Sequence, residues 1–285
     1  MLVSERIGQF FVASDGGRDR LEFTEYGAGD AWVVLVPAEL APRRMLQPLA
    51  HTLAAEGLHV VTLDLLGHGR SDRPADPHAY SVTEFAEQVV ALLDHLGAPQ
   101  AVVGGASLGA NVALEVAVVA PTRVRGLILE APVLDHGVEA SIAVYAPLLL
   151  TARLLPASVA ALRVLTRQVP RGIVPFWAGV ALDACDQRAG ALAALLHGLF
   201  FGRAAPPAKE RRRITVPALV VGHPYDPVRP MADAVALADE LPHGTFVRAR
   251  SALEWRLRPE RLDRAAVGLA VGCWKGSRRR RRAGA

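Results

Sequence analysis

The chain has 285 residues, 51% hydrophobic and 21% charged, a balance that excludes a disordered polymer and allows one large domain carrying an insertion. Its net charge of +4 does not mark a basic face, because Lys275 and Arg278 to Arg282 supply six positive charges at one end and the remainder is slightly acidic. Nucleic acid is therefore not an expected partner. Cys185 and Cys273 have neither metal-ligand spacing nor the density of a disulfide framework, which fits two incidental thiols in a reducing compartment. Met1 to Gln9 lacks a basic segment followed by an apolar stretch, so a cytoplasmic location is expected. No metal or cofactor is expected either.

Taken in order, Phe10 to Val12 and Leu21 to Tyr26 predict an antiparallel hairpin about the turn signal Asp15-Gly16-Gly17. Trp32 to Val36 is a continuous apolar strand, Met45 to Glu56 has helical spacing, and His59 to Leu63 is a second buried strand. A loop runs from Asp64 to Pro74. Val82 to Leu96 is an amphipathic helix that begins near Ser81 and stops at Gly97. Ala101 to Gly104 and Val124 to Leu129 predict strands, separated by an Ala/Val/Leu-rich helix from Ala110 to Ala120. From Val133 to Pro207 the alternation stops, and apolar sequence with several prolines predicts inserted helices. Within it, Ile142 to Leu150 is interrupted by Pro147 and ended by Arg153, too short a run to span a bilayer. Val216 to Val221 resumes the strands, Met231 to Leu241 is a helix, Thr245 to Val247 a last strand and Pro259 to Trp274 a last helix. Strands alternating with helices predict a parallel sheet with right-handed crossovers. The segment 276–285, with five adjacent arginines, is expected to be a disordered, solvated tail.

The stretch Gly105-Ala106-Ser107-Leu108-Gly109 sits between a predicted strand and a predicted helix. A Gly-x-Ser-x-Gly in that setting is a nucleophile elbow: the turn is so tight that a Cβ two residues to either side of the serine collides with backbone. The serine then holds a strained conformation with its hydroxyl raised above the sheet edge.

Three motifs in this order, Asp64-Leu65-Leu66-Gly67-His68-Gly69-Arg70-Ser71-Asp72-Arg73-Pro74, the elbow, and Pro217-Ala218-Leu219-Val220-Val221-Gly222 leading to Asp226, resemble the α/β-hydrolase fold family from Phe10 to Trp274. The resemblance implies a mostly parallel eight-stranded sheet with helices on both faces. It implies a core of residues 1–132 and 208–275 and a helical lid of residues 133–207. It further implies a serine triad in the order nucleophile, acid, base, with Ser107 as nucleophile and Asp226 as acid.

The family's base departs. A histidine usually stands seven residues before a Pro-Glu pair, and counting back from Pro259-Glu260 lands on Ala252. His243 precedes the last strand, and crossing a five-residue strand costs roughly 17 Å against a reach of about 3 Å, so it is not the base. His136 and His223, both expected at the active edge, are possible substitutes. His68 reads as a residue that shapes its own loop, and Glu254 as an exposed loop residue. The family's oxyanion motif also departs: the strand at Val33 to Val36 runs into Pro37-Ala38-Glu39 instead of His-Gly. The backbone amides of Leu108 and Glu39 are the expected donors, with the Glu39 carboxylate placed where negative charge is unwelcome.

Two functions follow. One is a serine hydrolase of small or apolar esters, slow for want of a base. The other is a binding or scaffolding protein that kept the fold and pocket but lost turnover. Both take a small apolar molecule. The oligomeric state is not legible in the sequence.

Overall fold

A computed structural model describes residues 3–14 and 17–283, with side chains as far as Lys275. Residues 15 and 16, where the sequence places the hairpin turn, and residues 284 and 285 lie outside this description, as do the side chains of 276–283. The backbone of 276–283, expected to belong to a disordered tail, instead continues the last helix.

The core strands are β1 (Glu5–Ser14), β2 (Gly17–Tyr26), β3 (Trp32–Val36), β4 (His59–Asp64), β5 (Ala101–Ala106), β6 (Val124–Glu130), β7 (Ala218–Gly222) and β8 (Gly244–Arg248). They form one sheet in the order β1-β2-β4-β3-β5-β6-β7-β8. The β1/β2 and β2/β4 pairs are antiparallel and every other pair is parallel. The expected hairpin is present but longer than its apolar cores, because the register continues from Glu5↔Tyr26 to Ser14↔Gly17.

Helices α1 (Gln47–Ala55), α2 (Val82–His95) and α3 (Leu108–Val119) connect the first strands. Between β6 and β7 come α4 (Asp135–Leu154), α5 (Pro156–Gln168), α6 (Phe176–Ala184), α7 (Ala189–Phe201) and the short α8 (Ala208–Arg211). Then follow α9 (Met231–Glu240), the short α10 (Glu254–Leu257) and α11 (Glu260–Ala283). The predicted Ile142 to Leu150 break is absent: Pro147 lies inside α4, a continuous helix of 20 residues. A proline there removes one backbone bond without ending the helix. By length and composition alone α4 is long and apolar enough to cross a membrane, the one such helix among the described residues. Such a feature also occurs in proteins that never enter a bilayer.

The parallel strands are buried on both faces, and alternation along them divides the core in two. Val34, Val36, Leu63, Val103, Leu129 and Val220 face α2, α3 and α9. Val33, Leu35, Val60, Val102, Ile128 and Val221 face α1 and α11. Each such side chain contributes about 1.5–3 kcal/mol by leaving water.

The loop after β4 is held by charge. Asp64, 1% exposed, pairs with the buried Arg43 guanidinium and accepts the Arg70 amide at 3.0 Å. Arg43 also reaches Glu22 Oε1 at 2.6 Å and Thr24 Oγ1 at 2.9 Å. A Cβ on Gly69 would fall 2.1 Å from the Asp64 carboxylate, so the motif's second glycine makes room for this anion. His68 is fully buried and its Nδ1 lies 2.9 Å from the Leu66 carbonyl. Burial pushes its pKa down to about 4, which keeps the ring neutral.

Candidate active site

β5 is completely buried between β3 and β6, and its last residue passes directly into Ser107 and α3. Ser107 has φ 53° and ψ −115°, outside the usual regions for a residue with a Cβ and worth about 1–3 kcal/mol of strain. The glycines allow it: a Cβ on Gly105 would lie 2.4 Å from the Val36 carbonyl oxygen, and one on Gly109 2.1 Å from it. The Ser107 amide donates to the Glu130 carbonyl at 2.8 Å, and its own carbonyl accepts from Ala110 at 2.9 Å. The backbone is therefore clamped. Among the described residues, none hydrogen-bonds the Ser107 hydroxyl.

The strain has a pattern. The described non-glycine residues with positive φ are Leu40, Ser107, Ala131 and Tyr225. They follow β3, β5, β6 and β7, all at the carboxyl edge of the parallel strands. Strained backbone gathers where function requires it, and ligands in open α/β sheets gather at this edge.

A cavity of about 370 Å³ opens there. Ser107, Leu108 and Glu39 line it from the core, and Ile142, Tyr145 and Phe200 from the insertion. The Leu108 amide begins α3, and a helix's first amides have no intrahelical acceptor. The Glu39 amide donates to no described residue, whereas that of Ala38 is directed at Met45 Sδ, 3.3 Å away. Glu39 is half-buried. Burial pushes its carboxyl up to about 7, against the opposing pull of the Tyr145 hydroxyl, which hydrogen-bonds it, and of Arg229. Burial likewise raises the Tyr145 phenol, and the Glu39 charge beside it adds to the effect.

The other expected site residues are engaged elsewhere. Asp226 Oδ1 accepts the amides of Val228 and Arg229, each at 3.0 Å, and Oδ2 lies 3.0 Å from Arg229 Nε. No described histidine hydrogen-bonds it; its neighbour Val228, not Asp226, lines the cavity. His136 Nδ1 lies 2.7 Å from Asp233 Oδ1, and Asp233 also accepts the amides that start α4, from Leu134 at 2.8 Å and Gly137 at 2.9 Å. The His136 ring is exposed on the outer side of that turn, while Asp135 and Val138 line the cavity. His223 Nε2 is 3.2 Å from Glu130 Oε1 but misaligned for a hydrogen bond. Arg256 Nη2 reaches the other oxygen of Glu130 at 2.7 Å. Burial opposes ionisation of Glu130, but Arg256 and His223 outweigh it and hold the carboxyl at about 2.

Ala252 stands exposed in the turn after β8. Glu254 is not an exposed loop residue: it is 5% exposed, accepts from the Arg250 amide and is gripped by Arg261 Nε at 2.8 Å. The backbone turn into α10 carries its carboxylate inward to cap that turn. The sequence did not single out Asn111, 3% exposed on α3. Its Nδ2 donates to the carbonyls of Val133 and Ala204 at 2.7 Å each, tying both ends of the insertion to the elbow helix. Tyr145 was legible only as one aromatic among several, although Asp135, Val138, Ile142 and Tyr145 recur at helical spacing along the cavity.

Residues 31–206, more than half of the chain, match the family model of the alpha/beta hydrolase fold. The chain belongs to the α/β-hydrolase fold family. Among curated proteins it is similar to 3-oxoadipate enol-lactonase 2 of Acinetobacter baylyi, 26% identical over 79% of this chain and 83% of that one. Among solved structures, an enol-lactonase from Burkholderia xenovorans LB400 superposes with a TM-score of 0.72 at 21% identity, covering 92% of this chain and 99% of the other. A thermophilic esterase from Thermogutta terrifontis superposes with a TM-score of 0.73 at 21% identity, covering 93% and 99%. At these identities the two structures speak for the fold alone.

Proposed function

We propose that this chain is a serine hydrolase that cleaves small or apolar esters through an acyl-enzyme at Ser107, slowly. The observation that carries this reading is the clamped, strained Ser107 opening into a cavity walled by Ile142, Phe200 and Tyr145. The hydroxyl attacks the ester carbonyl, and the charge that develops on oxygen is met by the Leu108 amide at the start of α3 and by the Glu39 amide. Water then releases the acid. The insertion between residues 133 and 207 acts as a lid whose apolar side chains select the acyl group. Asp226 shapes the wall through Val228, because its carboxylate is occupied by its own loop and Arg229. That relatives include lactonases and esterases supports carboxylic ester chemistry.

The test is reaction with an alkyl phosphonate fluorophosphonate probe, read by intact mass, together with hydrolysis of p-nitrophenyl butyrate. One adduct on Ser107, absent in Ser107→Ala, and turnover lost in the same variant are expected. Turnover that persists in Ser107→Ala overturns the reading. A second reading, a binding module without turnover, is favoured by the absence of any described histidine hydrogen-bonded to Ser107. It predicts calorimetric binding of a medium-chain carboxylate and no adduct.

A further inference from the structure

We propose that the Glu39 carboxylate, not an imidazole, is the proton-transfer group for Ser107; this rests on the reading of Ser107 as the nucleophile. Glu39 and Ser107 line the same cavity. The loop that carries Glu39 is pressed against the elbow, since the carbonyl oxygens of Val36 and Pro37 occupy the space that a Gly109 side chain would need. Leu40, the next residue, is held at φ 62°, a conformation a leucine adopts only when its surroundings impose it. Glu39 thus sits in a strained turn packed against the elbow, on the wall of the cavity that Ser107 also lines.

The remaining polar groups of the cavity leave this task open. Arg211 is bound to Glu240, with Nη2 3.0 Å from Oε1. Asp135 is exposed at the first turn of α4, open to solvent. His136 is hydrogen-bonded to Asp233 and His223 lies against Glu130, and neither lines the cavity. Facing Glu39 are Tyr145 from α4 and Arg229 from the segment before α9, with Asp226 acting on Tyr145. The apolar surroundings make Glu39 a stronger base than a solvated carboxylate, with its proton shared out near neutrality.

The steps balance. Glu39 takes the Ser107 hydroxyl proton as Oγ bonds to the acyl carbon and the carbonyl electrons move onto oxygen. The tetrahedral species collapses, the bond to the leaving oxygen breaks, and the Glu39 carboxylic acid protonates that oxygen. In the second half Glu39 takes a proton from water as its oxygen bonds to the acyl carbon. Collapse breaks the bond to Oγ, and the proton returns to Ser107. The sum is ester plus water giving acid plus alcohol.

The experiment measures the rate of Ser107 phosphonylation against pH, which needs no turnover, alongside p-nitrophenyl butyrate hydrolysis. In the wild type both rates rise with pH about a midpoint near 7. Glu39→Gln is expected to lower them by about 10²–10⁴-fold and to abolish the rise, while Glu39→Asp keeps a pH-dependent remnant. Tyr145→Phe moves the midpoint upward, because a bond that favours the carboxylate is lost. A merely structural Glu39 would leave the pH profile in place. Ser107 reactivity that is lost in Ser107→Ala but unchanged in Glu39→Gln overturns this inference alone, the more so if it disappears in His136→Ala or His223→Ala. No adduct on Ser107 at any pH overturns it together with the proposed function.

Discussion

Arg229 closes on Asp226, with Nε 3.0 Å from Oδ2, while the amides of Val228 and Arg229 itself fill the other oxygen. The residue that the family pattern would offer to a histidine is here a turn-forming anion with a cation of its own. Asp226→Asn keeps an oxygen acceptor for both amides, so it should cost less than about 1 kcal/mol, whereas Asp226→Ala should cost roughly 1–3 kcal/mol. Urea unfolding of both variants checks this. Loss of ester hydrolysis in Asp226→Asn at unchanged stability would instead mean that the carboxylate acts in catalysis.

Glu39 is expected to lower stability at the pH where its carboxylate forms. Its folded pKa of about 7 lies above the usual 4.5. Below about 4.5 folded and unfolded chains both hold the proton. Between about 4.5 and 7 the unfolded chain has lost its proton while the folded protein still holds it, so stability falls as pH rises across that window and levels off once the folded carboxyl has ionised above about 7. Glu39→Gln removes this dependence and should gain up to roughly 3 kcal/mol relative to wild type between pH 4 and pH 8. Denaturant unfolding at the two pH values decides, and a difference between the proteins that does not change with pH would contradict it.

Asn111 joins α3 to both ends of the insertion. Asn111→Leu leaves the carbonyls of Val133 and Ala204 and the Val133 amide, which donates to Oδ1 at 3.1 Å, without that partner. A loss of roughly 2–4 kcal/mol is expected from buried groups left unpaired. Hydrogen exchange should quicken first at Val133 and Ala204, not in β5.

Gly109→Ala should be among the costliest single-methyl changes in the chain. The added carbon would sit 2.1 Å from the Val36 oxygen and 2.7 Å from that of Pro37. Neither atom can rotate away as a side chain would, so strain of about 3 kcal/mol or more is expected. A thermal midpoint within a degree or two of wild type would show that the elbow is looser than described.

Much of the architecture was legible because it is local. β3 runs from Trp32 to Val36 as its apolar run indicates, and α2 starts at Val82 with Ser81 as its cap, the Ser81 hydroxyl accepting the Glu84 amide at 3.0 Å. Strand ends were less legible where pairing extends them: Ala106 belongs to β5 because it faces Glu130 across the ladder. Pro147 misled, since a helix tolerates one missing donor when its other bonds persist.

By itself the sequence determined the elbow, since Gly105 and Gly109 around Ser107 encode a turn too tight for any side chain. It also determined the departure at Ala252, because a residue type is read without folding anything. Only the tertiary structure decided which groups surround Ser107. Asp233 holds His136 from 97 positions away, Glu130, itself paired with Arg256, lies against His223, and Tyr145 and Arg229 meet Glu39 across the core and the insertion. Periodicity and turn chemistry act over a few residues, whereas burial and charge act through space. The state of a carboxyl such as Glu39 is therefore set by neighbours that the order of the chain does not reveal.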